Sequence, residues 1–394
     1  MTRRIHVLEL RSVRGTGGGP EKTILLGAER ADRARISVTV CYIRDAHDAQ
    51  FGITARARQA GVDYVEVTER GSFDRGVWPQ LRRVARERGI DIVHAHDYKT
   101  DFLALLMNRA LGTIPMSTAH GWTGHSARER WLYYPLDKQM LRAFPLTVAV
   151  STEIKTELVR HRVKADRVRV VLNGIDHRAF RRDRRLEAGA RAALGIAPGE
   201  LAVGAIGRLE PQKRFDLLID ACASLRERFP GLRLFIAGSG SQLEPLRALA
   251  ARRLPGRACE LLGHRTDVST LHHAFDLYVQ SSDYEGTPNS VLEAMALETP
   301  LVATAAGGTA EIAEHEVHGL VVPCGSAGLI AGAIERALAE TVASADRVIR
   351  ARRRVETTLS FDHRLAAVEG IYGELASRFP RPMGPRVAAE AECA

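Results

Sequence analysis

The sequence predicts an α/β protein built from two parallel-sheet halves of similar size, and three features predict it. Short β-branched runs alternate with helix-length stretches along most of the chain, the pattern of strand–helix–strand units that bury a parallel sheet between helices. A strongly basic stretch at 178–185, with few apolar residues, reads as a linker, and a second alternating set starts near Glu200. The length of 394 residues is long for one core and comfortable for two.

The first strand is Ile5-His6-Val7-Leu8-Glu9-Leu10. Its apolar run is broken by His6 and Glu9, so it is read as a strand and not as a signal peptide. Runs at 36–40, 90–94, 146–150 and 168–172 continue the first half. Those at 202–206, 232–236, 275–279 and 300–304 build the second, with a helix at 215–229. A last amphipathic helix is expected at 361–377, because Leu365, Val368, Ile371, Tyr372 and Leu375 recur at helical spacing. The tail 380–394 is rich in Pro and Ala and is expected to be disordered.

Composition narrows the function classes. Hydrophobic content of 45% and charged content of 26% describe an ordinary soluble globular protein. No stretch is long and apolar enough to span a bilayer. The five cysteines show no paired spacing, which argues against zinc and against a disulfide framework and fits a reducing cytoplasm. The net charge of +9 suits phosphorylated ligands, peripheral association with an anionic membrane face, or an Arg-rich source. Nucleic acid is not an expected partner, since there is no basic stripe with interleaved aromatics and no known module.

The densest motif is Glu285-Gly286-Thr287-Pro288-Asn289-Ser290-Val291-Leu292-Glu293, between a strand and a helix. Gly286 permits close backbone approach. Pro288 suits a first helical turn. The free amides near Asn289 and Ser290 form an anion site. Glu285 can reach a polar ligand at the helix mouth, and Glu293 can accept from hydroxyls deeper along it. The string therefore suits a molecule with both a phosphate and sugar hydroxyls; the rival reading is two solvated glutamates around an ordinary loop.

A second motif, Gly207-Arg208-Leu209-Glu210-Pro211-Gln212-Lys213, follows the strand ending at Ile206. That places it at the carboxyl edge of a sheet, where open α/β proteins bind ligands. Arg208 and Lys213 there would stabilise the charge that grows on a departing diphosphate. Gly15-Thr16-Gly17-Gly18-Gly19-Pro20-Glu21-Lys22 is a glycine-rich turn after the first strand. It matches neither the dinucleotide fingerprint nor a P-loop, but it can offer backbone amides to oxygen ligands. His94 and His96 end one strand and His120 another, without the spacing of a metal motif. The chain also contains no Asp-x-Asp. Trp122, Trp131, Tyr133 and Tyr134, among basic residues, suit either an acceptor surface or core packing.

From Gly15 to about Tyr372 these strings resemble the retaining nucleotide-sugar glycosyltransferases of family 4. Glu285 to Glu293 is similar to the Glu-x7-Glu motif of that family, and Gly207 to Lys213 to its Gly-Arg-x4-Lys element. Leu262 to Val268, with His264, resembles the loop that borders the base, and Asn173-Gly174-Ile175-Asp176 the turn between the domains. The resemblance implies the GT-B fold, two Rossmann-like domains facing across a cleft. An acceptor-side domain would span 1–176 and a nucleotide-sugar domain 177–360, with a helix at 361–379 crossing back to the first domain. It implies a donor site of Gly18, Gly19, Asn173, Arg208, Lys213, His264, Glu285, Gly286, Thr287, Asn289, Ser290 and Glu293. Arg208 and Lys213 would neutralise the diphosphate, Glu285 and the amides after Gly286 would hold the sugar, and Glu293 the ribose. His120 would contact the transferred sugar as the cleft closes, joining Arg208, Lys213 and Glu285 as the catalytic set. The reaction would need no metal and no cofactor, the nucleoside-diphosphate sugar being a substrate, with UDP the default. Acceptors would be a glycan, a lipid-linked sugar or a glycolipid. His94 and His96 are read as structural or acceptor-side. Two alternatives share the donor site: a nucleotide-sugar hydrolase or epimerase, and a non-catalytic binding scaffold.

Overall fold

The computed structural model describes residues 3–15, 17–71, 74–122 and 129–380. Thr16 of the glycine-rich turn, 123–128 of the aromatic and basic stretch, and 381–394 of the expected disordered tail lie outside the described residues. The chain divides into two compact units: Met1–Val150 with Ile154–Val171 and Leu365–Ala394, and Ser151–Glu153 with Leu172–Arg364. The division falls before Leu172 and not after Asp176. The last helix, Phe361–Arg378, gives all but its first turn to the first unit.

The first unit is a seven-stranded sheet of β1 Ile5–Val13, β2 Ile36–Asp45, β3 Asp63–Glu69, β4 Ile92–Ala95, β5 Ile114–Ala119, β6 Leu146–Ala149 and β7 Val168–Val170. The order is β3-β2-β1-β4-β5-β6-β7. Every pair is parallel. Parallel sheets are covered on both faces, so their strands are apolar on both. Alternation then assigns each residue a side. Leu8, Leu10, Val93, Ala95 and Ala149 pack into one core with Leu81, Leu103 and Met107. Val7, Ile92, Met116 and Val148 pack on the other side against Val368, Ile371, Tyr372 and Leu375 of the last helix. That spacing is one helical stripe, and each fully buried side chain of this kind is worth roughly 1.5–3 kcal/mol.

The second unit is a six-stranded sheet of β8 Leu201–Ile206, β9 Leu232–Ala237, β10 Cys259–Gly263, β11 Leu277–Gln280, β12 Leu301–Thr304 and β13 Leu320–Val322. Its order is β10-β9-β8-β11-β12-β13, again parallel throughout. The strand expected from Phe275 starts later, at Leu277. Phe275 instead lays its ring over Gly204 of β8, where a Cβ would come within 2.1 Å of it. Among the described residues no helix is long and apolar enough to cross a membrane.

One carboxyl pair in the first unit makes stability depend on pH. Asp101, in the helix Tyr98–Leu111, is buried beside Asp137, which accepts from Trp122 Nε1 at 2.9 Å. Burial first, and then the Asp137 charge, push the Asp101 carboxyl well above the usual carboxylate range, and burial raises Asp137 as well. Below the ordinary Asp value of about 4 both states are protonated. Above it the unfolded chain releases its proton while the folded one retains it, so stability falls with rising pH until the raised folded value is passed. Asp101→Asn keeps the shape and removes this titration. Its thermal midpoint at pH 7.5 should equal or exceed the wild type, and its decline between pH 4.5 and 7.5 should be smaller. A lower midpoint with the wild-type slope would contradict the account.

Candidate active site

Each sheet reverses its direction of growth once, and the site residues collect at those reversals. In the second unit β8, β9 and β10 extend one way and β11, β12 and β13 the other. The loops after β8 and β11 therefore leave neighbouring strand ends and diverge, which opens a crevice at the carboxyl edge. The first loop carries Arg208 and Lys213, and the second carries Glu285. They are laced together: Asp283 N donates to Gln212 O at 2.8 Å, Ser281 Oγ to Lys213 O at 2.8 Å, and Arg214 Nη1 to Asp283 Oδ2 at 2.7 Å.

Lys213 Nζ donates to Glu285 Oε1 at 2.5 Å. The same oxygen accepts from Ser282 Oγ at 2.7 Å and faces Gln280 Nε2 at 3.3 Å. Among the described residues Oε2 has no hydrogen-bond partner. A buried carboxylate is tolerated only when donors and a counter-charge surround it, and here all of them approach one oxygen. Glu293 lies buried in the helix Asn289–Ala296. Val291 and Leu292 make the first backbone bonds of that helix, to Pro288 O, at 3.2 and 3.3 Å. The amides of Asn289 and Ser290 precede them, as first-turn amides without an intrahelical partner do. Tyr278 lies beneath, its hydroxyl 3.4 Å from Ile206 O. Burial, with Glu285 and Glu293 adding to it against the Ser290 hydrogen bond, pushes the phenol far above its usual value.

The backbone of this loop is held from two sides. Gly307 has φ +53°, and a Cβ there would lie 1.7 Å from the Glu285 carbonyl oxygen. Gly308 N donates to Gly286 O at 2.8 Å. Asn173 Nδ2 donates to Thr287 O at 3.2 Å and to Asn289 Oδ1 at 3.3 Å. Asn173, Lys213, Glu285, Gly286, Thr287, Asn289, Ser290 and Glu293 are thus gathered on one loop and its immediate supports. Arg208 follows β8 but is exposed and has no ion pair among the described residues. His264 is exposed just beyond β10, two strands away from β8.

In the first unit the reversal lies between β1 and β4. The glycine-rich turn after β1 directs its amides inward. Gly15 N donates to Asp48 Oδ2 at 2.7 Å, Gly17 N to Arg14 O at 3.3 Å, and Gly18 N to Glu21 Oε2 at 2.5 Å. Gly19 opens the helix Gly19–Arg30. Arg11 pairs with Glu21 at 2.5 Å and donates to His96 O at 3.1 Å. Beside them Glu9, on β1, is paired in register with His94 on β4. His96 Nε2 lies 2.5 Å from Glu9 Oε2, and His96 Nδ1 lies 3.1 Å from His120 Nε2. His94 Nε2 meets Thr118 Oγ1 at 2.7 Å, and Tyr372 Oη donates to Glu9 Oε1 at 2.7 Å.

Among the described residues Glu9, His94 and His96 are the one group of three potential metal ligands, their ligand atoms within 4.8 Å of one another. Every ring nitrogen of the two histidines nevertheless has a hydrogen-bond neighbour already. The donor set is therefore consistent with a closed network without an ion.

Comparisons with known proteins identify the family. Residues 17–179 match the family described as Glycosyltransferase Family 4, and residues 188–355 match Glycosyl transferases group 1. The chain belongs to the family 4 glycosyltransferases. It is 30% identical over 259 residues to a D-inositol 3-phosphate glycosyltransferase of Saccharomonospora viridis, covering 59% of this chain and 58% of that one. It is 29% identical over 327 residues to a glycogen synthase of Mycobacterium tuberculosis, covering 78% and 75%. Among solved structures, Anabaena Alr3699/HepE in complex with UDP-glucose superposes with a TM-score of 0.82 at 20% identity, over 94% of this chain and all of that one. The fold is GT-B, with the two parallel-sheet domains of this glycosyltransferase family.

Sequence reasoning missed several residues that shape the site. Gly307 and Gly308 lie on the loop after β12, and their requirement is visible only where that loop meets Glu285 and Gly286. Glu9 left a signal, a carboxylate inside an apolar strand, that reads equally as a strand edge. Gly307→Ala should lower the thermal midpoint, because the new Cβ displaces the Glu285 carbonyl at a positive φ. Gly332→Ala is the control: the glycine is exposed in the helix Ala327–Ala339 with nothing within 4 Å of a Cβ. It should stabilise by roughly 0.4–1 kcal/mol. Equal effects of the two substitutions in thermal melts would refute the packing argument.

Proposed function

We propose that this glycosyltransferase moves a sugar from a nucleoside-diphosphate sugar, UDP-linked by default, to a hydroxyl of a glycan, lipid-linked sugar or glycolipid acceptor, with retention of configuration and without a metal. The observation that carries the reading is the Lys213–Glu285 pair, with Glu285 Oε2 without a hydrogen-bond partner among the described residues, on the loop that leads into the helix Asn289–Ala296. Lys213 and Arg208 would take the diphosphate, whose charge grows as the glycosidic bond breaks, so they stabilise the transition state more than the ground state. Glu285 Oε2 would accept from a sugar hydroxyl, the amides of Asn289 and Ser290 would hold oxygens of the donor, and Glu293 would accept from the ribose. Asn173 would hold the loop in place rather than touch the donor. His120, by the family resemblance, would contact the transferred sugar. The departing phosphate would assist the incoming hydroxyl on the same face of the sugar. The family resemblance and the UDP-glucose complex of Anabaena HepE support the choice of donor.

The test is binding, followed by turnover. UDP, GDP, ADP and their common sugar conjugates are titrated by calorimetry in chelator, and one nucleotide should bind selectively. Lys213→Ala and Glu293→Ala should each lose at least about ten-fold in kcat/KM, as expected for a charged contact. Full activity in both would sink the assignment, and activity abolished by chelator would overturn the metal-free reading. A cytoplasmic, membrane-peripheral setting fits the charge of +9. Failure to pellet with anionic vesicles at low salt would remove that part.

A further inference from the structure

Two neighbouring strands of the second unit, β11 and β12, end on polar residues, Gln280 and Thr304. Gln280 closes the otherwise apolar run Leu277-Tyr278-Val279. Gln280, Ser282, Thr304, Thr309 and Glu285 are all buried. Thr304 N lies 3.2 Å from one end of the Gln280 amide. A backbone N–H can only donate, so that end is the oxygen. The NH2 end is fixed by the same step. It faces Glu285 Oε1 at 3.3 Å and Thr309 Oγ1 at 3.4 Å, one acceptor for each hydrogen. The amide therefore has a single orientation, set by the backbone of the adjacent strand.

Glu285 Oε1 also accepts from Lys213 Nζ at 2.5 Å and from Ser282 Oγ at 2.7 Å. Ser282 is itself tied to β12, since its carbonyl accepts from Thr304 Oγ1 at 2.5 Å. Of the three donors Lys213 alone is charged, and Lys213 alone has a second task. In the proposed reaction it takes the donor diphosphate, so its bond to Glu285 must weaken as the phosphates arrive. The two donors that remain are neutral, and both lead back to the ends of β11 and β12. A carboxylate that turns about its last bond exchanges its two oxygens. Donors that converge on one oxygen from rigid strand ends oppose that turn.

We infer that Gln280 is a positioning residue, which holds Glu285 Oε1 while Lys213 is engaged by the diphosphate and so keeps Oε2 in place to accept from a sugar hydroxyl. This rests on the proposed role of Glu285 in holding the sugar. An apolar side chain at 280 would fill the same space in the core. It would leave Thr304 N without its acceptor and Glu285 with Ser282 as its one neutral donor among the described residues.

Two measurements test this. The first uses the full chain labelled with 15N-glutamine, with the Gln280 side-chain NH2 assigned by the signal lost in Gln280→Glu or Gln280→Met. That NH2 should exchange slowly with water, and it should stay slow in Lys213→Ala. Fast exchange in the wild type, or exchange that becomes fast when Lys213 is removed, overturns the inference without reference to any activity. The second is turnover. Gln280→Glu keeps an oxygen for Thr304 N and puts a carboxyl oxygen where the NH2 stood. At about pH 8 two carboxylates then face each other. The kcat for UDP release from UDP-glucose should fall about ten-fold, as expected for one lost hydrogen bond to a charged group. Neighbouring carboxyls retain a proton above the ordinary range, and a proton shared with Oε1 restores the missing donor. The deficit against the wild type should therefore shrink as the pH is lowered to about 5.5. Lys213 and Glu285 are the charged groups in contact. Tyr278 lies near Glu285 and Glu293, and Cys324, which bonds Thr304, lies near Asp283 and Glu153. Burial pushes the phenol far above its usual value and the thiol up, so neither supplies this titration. An unchanged kcat, or a deficit of the same size at every pH, overturns the positioning role. A wild type that binds no UDP in calorimetry would sink the donor reading while leaving the exchange result standing.

Discussion

A parallel sheet that grows first one way and then the other leaves two neighbouring strand ends whose loops must diverge, and the chemistry of this chain depends on that constraint. Nothing else brings residue 9 beside residue 94, or residue 213 beside residue 285. In the first unit the reversal places β1 against β4, with β5 next to β4. In the second it places β8 against β11. The strands are buried on both faces and fixed in register, so the loops start from rigid points. That is the requirement for holding a ligand to within a fraction of an ångström.

Both crevices contain a carboxylate that the fold would reject if it stood alone. Removing one partner from a buried ion pair typically costs about 3–5 kcal/mol, and hydrogen bonds to a charged group return about 1.5–3 kcal/mol each. Glu285 gathers Lys213, Ser282 and Gln280, and Glu9 gathers Tyr372, His94 and His96. These donors come from separate strands, loops and helices, so the local geometry is over-determined. The last helix shows the coupling. Val368, Ile371 and Leu375 give it an apolar stripe for docking, and Tyr372, in the same stripe, adds a hydroxyl that lands on Glu9. Phe at that position would serve the packing equally well and leave Oε1 short of a donor.

The parts legible in the sequence are those whose meaning is local. Glu285 to Glu293 and Gly207 to Lys213 carry their turn chemistry, charge and helix start within nine and seven residues, and the structure brings Lys213 and Glu285 into contact. The last helix is legible from its spacing. β3, β10 and β13 are not, because β3 (Asp63–Glu69) and β10 (Cys259–Gly263) mix charge into short runs and β13 is three residues long. The hydrogen-bond cluster is hidden for a different reason. Glu9 and Tyr372 are 363 positions apart, and only strand order brings them together. Each has an adequate local reading, as a break in an apolar run and as one position in a helical stripe, so neither advertises a partner. Gly307 is hidden likewise, since its φ and its neighbour Glu285 O belong to the tertiary structure.

The two carboxylates are held in the same way, by donors that converge from several elements. Phosphates, which only accept, need amides and cations, which Asn289, Ser290, Lys213 and Arg208 would supply in the proposed donor site. Sugar hydroxyls need acceptors with a defined direction, and an unrestrained carboxylate or imidazole is a poor one because it rotates or changes tautomer. Glu285 has its donors crowded onto Oε1, which fixes the group and leaves Oε2 without a donor among the described residues. Glu9 has its donors on both oxygens, Tyr372 and His94 at Oε1 and His96 at Oε2, which fixes the group. In one unit the carboxylate keeps one oxygen clear of donors among the described residues; in the other both oxygens are engaged. In both, the ordering entropy is met during folding and not at the moment of binding, which is the condition for a preorganised site.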